Sequence, residues 1–212
     1  MKSDEVFKMS FLESDDFLVD KIRISHLIQQ WSIWRDYGQW AALKSTFTPD
    51  ATVRLTVFVG PAAKYIENAE YLDKNKNLGH VSNHIVGGSA IEVVGEKALA
   101  QTHLTLTVRT KYSGIEIDLT GIGRFYDRLV KKNNIWKIFH REVLFDKDSM
   151  VKVNKSDSLS LDLDELAGYP AHYRYNCLVV KGFGLNPDLT SPAPHSRELS
   201  ELYINNVRWL NS

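Results

Sequence analysis

The chain has 212 residues, and its 26 basic and 26 acidic side chains give a formal net charge of zero. This balance argues against a nucleic acid as a partner, because proteins that bind polyanions usually carry a basic excess. No apolar run approaches the ~20 residues that a membrane-spanning helix needs, so we expect no membrane segment.

The single cysteine, Cys177, excludes an internal disulfide and fits a reducing compartment. The N-terminal residues include several acids and no long apolar core, so they lack the composition of a signal peptide. We therefore expect a cytoplasmic protein. A chain of this length is expected to bury a substantial core, as one domain with or without an appendage.

The first predicted element is a long helix. Residues 1–14 are expected to be flexible, and Ser14 can cap a helix that starts at the next residue. Its apolar residues recur at helical spacing and form one stripe: Ile24, Leu27, Ile28, Trp31 and Trp34. Ile22 and Ile33 lie off this stripe, which predicts burial over much of the helix circumference. Gly38 is expected to end the helix.

The pattern then changes from helical to strand spacing. A short helix is predicted over residues 40–47 and is ended by a Thr-Pro-Asp turn at 48–50. Residues 52–59 are rich in β-branched side chains, which predicts a strand. A third helix over 62–72 and a polar loop over 73–79 are expected to follow.

Four strand-like runs follow, at 83–94, 98–112, 115–131 and 135–145. The breaks between them contain residues typical of hairpin turns, so the runs are predicted to form an antiparallel meander. Helices followed by such a meander indicate an α+β fold, with a curved antiparallel sheet packed against the N-terminal helices. A strongly curved sheet of this kind closes into a cone-shaped barrel and leaves a conical cavity.

The composition changes again after Asp146, so we divide the chain into a domain at 15–147 and a C-terminal extension at 148–212. The extension begins with a Ser- and Asp-rich linker, continues with an apolar, aromatic segment and ends with a helix predicted over 197–210. Its aromatic residues favour packing, so we expect the extension to cap the pocket or to pack on a partner subunit.

Four stretches within residues 15–146 together resemble a known family. They are Asp36 with Trp40 and the run 47–51; Asn83 to Gly88; Ala98 with Ala100; and Gly123 to Val130 followed by Trp136 to Ile138. In this order and at this spacing they resemble the nuclear transport factor 2-like superfamily, and within it the SnoaL-like and scytalone dehydratase-like enzymes. The resemblance implies the cone-shaped fold described above.

The resemblance also implies a use for the cone. Enzymes of this superfamily include dehydratases, dehydrochlorinases, isomerases and polyketide cyclases, and we expect a small-molecule substrate and no cofactor. In the lyases that this chain resembles, an Asp at the end of the first helix pairs with a His that enters the sheet. Asp36 and His84 fall on those positions. Members commonly associate through the sheet, so we expect a homodimer or homotrimer.

A His–Asp pair suits the abstraction of a proton next to a carbonyl, because the carboxylate fixes the imidazole tautomer and stabilises the imidazolium. The same imidazole can return the proton to a departing hydroxyl or to another carbon. The residues alone also allow a plainer interpretation: His84 is a hydrogen-bonded histidine at a strand end, and Asp36 is a surface acid. Asp36 lies off the apolar stripe of its helix, which fits that interpretation.

Three positions depart from the dehydratases that the chain resembles. Trp31 stands where a tyrosine is expected, five residues before the aspartate. Leu55 stands where the first strand is expected to carry a tyrosine, and Val108 or Arg109 stands where a second histidine is expected. The groups that polarise a carbonyl or hold a water in those enzymes are therefore absent from these positions.

Other residues are expected to complete the pocket. Tyr65 or Tyr126 is a candidate for the missing hydroxyl donor, and His140 shares a predicted strand face with Trp136 and Ile138 at the cavity mouth. The full set of expected substrate-binding residues is Trp31, Leu55, Tyr65, Leu106, Val108, Tyr126 and His140.

His80 and His84 have a spacing that suits a metal ion when both lie on a helix. Here they flank a transition from loop to strand and no third ligand is evident, so we expect no metal site. Two functions remain open: a cofactor-independent lyase or isomerase acting on a small apolar, carbonyl-bearing or polycyclic substrate, and a non-catalytic binding or accessory domain of the same fold.

Overall fold

A computed structural model describes residues 15–74 and 80–212. The helices are α1 (Asp15–Asp36), α2 (Trp40–Ser45), α3 (Ala62–Lys74), α4 (Leu163–Ala167), α5 (Arg174–Gly182) and α6 (Arg197–Leu210). The strands are β1 (Phe47–Leu55), β2 (Phe58–Pro61), β3 (Val81–Val94), β4 (Lys97–Tyr112), β5 (Ile115–Lys132) and β6 (Ile135–Lys152). The predicted flexible segment 1–14 and most of the predicted loop 73–79 lie outside the described residues.

The strands form one sheet in the order β2-β1-β6-β5-β4-β3. Strands β3 to β6 form the predicted antiparallel meander, and β1 pairs in parallel with β6. Asn133 and Asn134 both have a positive φ in the β5–β6 turn, as a tight hairpin requires. The predicted α+β fold with a curved sheet and N-terminal helices is confirmed. No helix among the described residues combines the length and apolar character needed to cross a membrane.

Bulges curve the sheet where β5 and β6 meet. The register shifts between Ile122 and Gly123 and again between Arg128 and Leu129, and each shift leaves one extra residue on β6. Such bulges bend a strand and increase its twist. At the first bulge the backbones come so close that a Cβ on Gly123 would lie 2.1 Å from the carbonyl oxygen of Leu144. Glycine is required there because any side chain would force the two strands apart.

The two faces of the sheet are covered by different helices. The inner face packs against α1, α2, α3 and α5 in a core that includes Ile28, Trp31 and Phe125. The outer face carries Leu99, Tyr126 and Leu144, which pack under the C-terminal helix α6. Neighbouring residues such as Phe125 and Tyr126 thus serve opposite faces, as strand geometry requires. The extension therefore contributes α5 to the inner face and α6 to the outer one.

Three predictions of local structure are wrong. Residues 52–59 form two strands, because the chain turns at Thr56 and Val57 to pair β1 with β2. The predicted turn at 48–50 lies within β1. The register against β6 is interrupted there, so the missing backbone N–H of the proline costs no hydrogen bond of the sheet. Ile22 and Ile33 are 68% and 54% exposed, because α1 rests on the sheet along one side only.

The predicted domain boundary at residue 147 falls inside a strand. β6 continues to Lys152 and pairs with β5 up to that residue, so the sheet includes the first residues of the predicted extension. α6 occupies the predicted range 197–210, and the hydroxyl of Ser196 caps it by accepting a hydrogen bond from the backbone N of Leu199 at 3.1 Å.

We expect Gly123→Ala to lower the free energy of unfolding by about 1–3 kcal/mol or more, because the added methyl group overlaps the backbone of β6. Gly88→Ala is the matched control, since a Cβ at Gly88 meets no atom within 4 Å. Urea unfolding followed by circular dichroism measures both variants. Equal stability of the two variants would show that close packing at this bulge does not hold the sheet in shape.

Candidate active site

Asp36 and His84 are in direct contact, although 48 residues separate them in the sequence. Oδ1 of Asp36 accepts a hydrogen bond from the ring Nδ1 of His84 at 2.6 Å, and Oδ2 accepts one from the backbone N of His84, also at 2.6 Å. The side chains are only 13% and 7% exposed for His84 and Asp36, respectively. The contact gives the proton of the neutral ring to Nδ1 and leaves Nε2 as the basic nitrogen.

The end of α1 places Asp36 over the sheet. Asp36 ends a row of α1 residues spaced four apart that includes Ile28 and Ser32, which are both buried. The interpretation of Asp36 as a surface acid considered only the apolar residues of the helix. Ser32 is polar, so the apolar pattern does not include this buried row. Gly38, with a φ of 68°, then lets the chain turn, and the backbone N of Gln39 donates to the oxygen of Trp34 at 2.8 Å.

Aromatic rings enclose the imidazole of His84. The ring of Trp31 meets it edge-on at 5.4 Å between centroids, and Phe125 stacks on it at 6.4 Å. Burial lowers the pKa of His84 below its ordinary value; the hydrogen bond and charge of Asp36 oppose this shift, and the positive charges of Arg35 and Arg141 add to it. His84 is therefore neutral at physiological pH and able to accept a proton.

A buried ion pair lies behind these rings. Arg141 donates to Asp127 through Nε and Nη2, each at 2.7 Å, and both side chains are fully buried. The guanidinium also stacks on Trp31 at 4.3 Å and on Phe125 at 4.0 Å. Arg141 thus fixes the two rings that contact His84. Its Nη1 has no hydrogen-bond partner in the described part of the chain.

A cavity of about 120 Å³ opens beside His84. Its walls come from α1, the end of β1 and the β1–β2 turn, α3, strands β3 to β6 and the extension. The described lining residues are Trp31, Arg35, Leu55, Thr56, Val57, Tyr65, His80, Ser82, His84, Leu104, Leu106, Val108, Phe125, Val143, Phe145, Asn176 and Phe183. The volume is close to the ~150 Å³ of an engineered cavity that binds benzene, so it suits a molecule of about one small ring.

Five of the seven expected substrate-binding residues line this cavity: Trp31, Leu55, Tyr65, Leu106 and Val108. Tyr126 does not, which corrects the expectation that it offers a hydroxyl to the substrate. Tyr126 follows the inward-facing Phe125, so it faces outward and its ring packs edge-on against Tyr203 of α6 at 5.5 Å. Burial further raises the pKa of Tyr126 and keeps its hydroxyl protonated.

His140 is also absent from the cavity wall, and a bulge explains why. Ile138 pairs with Leu129 and His140 pairs with Arg128, so Phe139 is an extra residue between them. One extra residue inverts the faces of the strand beyond it. Arg141, Val143 and Phe145 therefore face inward. Nδ1 of His140 instead lies 2.7 Å from the hydroxyl of Thr52.

The lining residues that sequence reasoning missed are mostly polar or come from the extension. Arg35 lines the cavity and donates through Nε to the hydroxyl of Tyr65 at 3.0 Å. Asn176 and Phe183 reach the cavity from α5 and the residue that follows it. Phe183 meets His80 edge-on at 5.3 Å between ring centroids. The sequence holds one signal for Arg35. It lies four residues after Trp31, so the two side chains share one face of α1.

His80 and His84 both line the cavity, and His84 gives its Nδ1 to Asp36. Among residues 15–74 and 80–212, no three His, Cys, Asp or Glu side chains gather as a metal ion would require. The chemistry that this arrangement allows is acid–base chemistry: one neutral imidazole, a carboxylate that orients it, and an apolar cavity beside it.

Comparison with known proteins identifies related chains. A family model described as the SnoaL-like domain matches residues 17–142, which is more than half of the chain. Pea pathogenicity protein 2 of Fusarium vanettenii is 28% identical over 163 residues, which cover 76% of this chain and 69% of that protein. The family match includes Asp36 and His84 and ends before the extension.

Solved structures share the fold at low sequence identity. A candidate scytalone dehydratase from Novosphingobium aromaticivorans gives a TM-score of 0.56 at 19% identity, covering 71% of this chain and 99% of that chain. A type 2 hexachlorocyclohexane dehydrochlorinase, LinA, gives a TM-score of 0.52 at 17% identity, covering 69% of this chain and 98% of that chain. With the family match, these likenesses confirm the predicted SnoaL-like, nuclear transport factor 2-like fold.

The protonation state of His84 can be measured without a substrate. We expect nitrogen-detected NMR titration to give a pKa below the ~6.5 of an unperturbed histidine, with the proton of the neutral ring on Nδ1. Asp36→Asn should lower that pKa further, because the carboxylate charge opposes the effect of burial. His103→Gln, at an exposed position of β4, serves as a control for assignment. A pKa that rises in Asp36→Asn would contradict the electrostatics described here.

Proposed function

The chain belongs to the SnoaL-like domain family, and we propose that this member is a cofactor-independent lyase or isomerase of the dehydratase type. His84 is the general base and acid, and Asp36 orients it. The substrate is a small, mostly apolar molecule that carries a carbonyl group and binds in the conical cavity.

The hydrogen bonding of the His84 imidazole is the observation that supports the proposal. Asp36 occupies Nδ1, and no described residue forms a hydrogen bond with Nε2, while the ring lines the cavity. Neutral imidazole beside an apolar cavity is a suitable base for a carbon acid, because little water competes for the proton. The buried carboxylate of Asp36 then stabilises the imidazolium that forms.

The reaction takes place in two steps. Nε2 of His84 removes the proton from the carbon next to the carbonyl, and the C–H bonding electrons move toward the carbonyl to give an enolate. When the carbonyl re-forms, these electrons make a carbon–carbon double bond and expel the hydroxyl group on the next carbon. Nε2 returns its proton to that hydroxyl, which leaves as water. If the substrate instead carries a carbon–carbon double bond at the β,γ position, proton removal gives a dienolate, and return of the proton to its γ carbon gives isomerisation.

The names of the structural neighbours support an elimination. One is a candidate scytalone dehydratase and another is called a hexachlorocyclohexane dehydrochlorinase, and both names describe the loss of a small molecule from the substrate. The cavity of about 120 Å³ favours a substrate of about one ring over a large polycyclic one. A small β-hydroxyketone has the size and the leaving group that the proposal requires.

A non-catalytic binding or accessory domain is the second candidate function. It is favoured by the apolar wall, where Trp31, Leu55 and Val108 stand in place of the hydroxyl and imidazole groups of the dehydratases that the chain resembles. An apolar pocket with few polar groups is sufficient to bind a small molecule without turnover. The two candidates differ in whether substitution of His84 changes a reaction rate.

We further propose that the chain forms a homodimer or homotrimer. α6 covers Leu99, Tyr126 and Leu144, so the contact between subunits uses the part of the outer sheet face that α6 leaves open. We expect light scattering on the full chain after size exclusion to give two or three times the 24.2 kDa of one chain. A single-chain mass at all concentrations tested would contradict this assembly.

We expect the purified protein to convert small cyclic β-hydroxyketones, such as 3-hydroxycyclohexanone, to the corresponding enone, measured by enone absorbance. His84→Gln should lower kcat/KM by about 10²–10⁴-fold, because the base that removes the proton is lost. Asp36→Asn should also lower it, since asparagine can keep a hydrogen bond to the ring but cannot stabilise imidazolium.

The exposed His103→Gln is the matched control and should leave the rate unchanged. Circular dichroism on each variant separates a catalytic effect from unfolding. Near-normal turnover in both His84→Gln and Asp36→Asn would refute the proposed mechanism. A protein that binds these ketones without converting any of them would favour the binding function.

A further inference from the structure

Arg35 brings a full positive charge to the cavity wall. It lines the cavity together with Tyr65, whose hydroxyl accepts a hydrogen bond from Nε of Arg35 at 3.0 Å. The guanidinium also lies over the ring of Trp40, at 5.6 Å. Within residues 15–74 and 80–212, neither Nη1 nor Nη2 donates a hydrogen bond to a protein acceptor. Arg35 therefore keeps the donors that form the usual two-pronged contact with a carboxylate.

No carboxylate among the described residues lines the cavity. Burial acts to lower the pKa of Arg35, but Tyr65 and, to a smaller extent, the charges of Asp36 and Asp73 raise it above its ordinary value. Asp36, however, gives both of its oxygens to His84, and Asp73 is not part of the cavity wall. A cation at the wall of a largely apolar cavity, with no acidic side chain in that wall, is a site suited to an anionic ligand.

We infer that the cavity takes a small oxo acid, whose carboxylate binds Nη1 and Nη2 of Arg35 while its acidic carbon faces His84. The inference rests on the proposed function, since it names the substrate class for the same cavity. Tyr65 is a positioning residue, because it holds the guanidinium through Nε and leaves the other two nitrogens for the ligand. The carboxylate also fixes the substrate in one orientation, which an apolar wall alone does not do.

Benzoate and its neutral analogue benzamide are matched probes for this site, because both have one ring and differ in charge. At pH 8, where His84 is neutral, we expect ligand-observed NMR to show benzoate binding about 10- to 100-fold more tightly than benzamide. That ratio is the usual effect of one charge-assisted hydrogen-bonded contact. Arg35→Gln should remove the preference, and Arg35→Lys should restore part of it by restoring the charge.

Two controls make the result specific. Arg109→Gln removes an exposed arginine that pairs with Asp118 away from the cavity, and it should keep the full preference. His84→Gln should keep it too, because the anion contact does not use the imidazole. Tyr65→Phe should weaken benzoate binding by a few-fold, since the guanidinium loses the group that orients it.

Equal affinities of benzoate and benzamide for the wild-type protein would overturn the inference, as would a preference that survives in Arg35→Gln. Absence of saturable benzoate binding at millimolar concentration would also overturn it. These failures differ from failure of the proposed function. A protein that prefers benzoate in both wild-type and His84→Gln forms, yet dehydrates neither a neutral cyclic β-hydroxyketone nor its carboxylate-bearing analogue, keeps the anion site and loses the lyase.

Discussion

The site depends on one carboxylate whose two oxygens both accept hydrogen bonds from a single residue of another element. Asp36 ends α1 and His84 lies near the start of β3, so the contact fixes the helix to the edge strand and sets the ring orientation at the same time. Rotation of the ring would break the hydrogen bond from Nδ1 but would leave the one from the backbone N of His84 in place. The helix end and the imidazole are thus positioned as one unit.

An electrostatic interaction holds the region behind His84 in place. Arg141 and Asp127 are paired and fully buried within the sheet, and loss of either partner from such a pair typically costs ~3–5 kcal/mol. The same guanidinium stacks on Trp31 and Phe125, the two rings that contact the imidazole. Trp31, which stands where the resemblance implied a tyrosine, therefore has a structural role: its indole ring packs against the buried guanidinium of Arg141.

The sequence predicts most of the elements, because hairpin turns such as Asn133-Asn134 and helical spacing are local signals. The pairing of Asp36 with His84 followed from resemblance and not from local pattern. The placement of His140 was wrong because a bulge at Phe139 inverts the strand, and such a bulge depends on how two strands meet. Arg35 was missed because a charged residue at the end of an apolar stripe is ordinarily solvated.

The cavity is not contained within the region that the family model matches. That region ends at residue 142, whereas Val143, Phe145, Asn176 and Phe183 all contribute to the wall. Part of the cavity wall is thus encoded outside the stretch that defines the family. Two relatives can keep the same Asp–His contact and still admit different molecules through changes beyond residue 142, so a shared domain does not by itself imply a shared substrate.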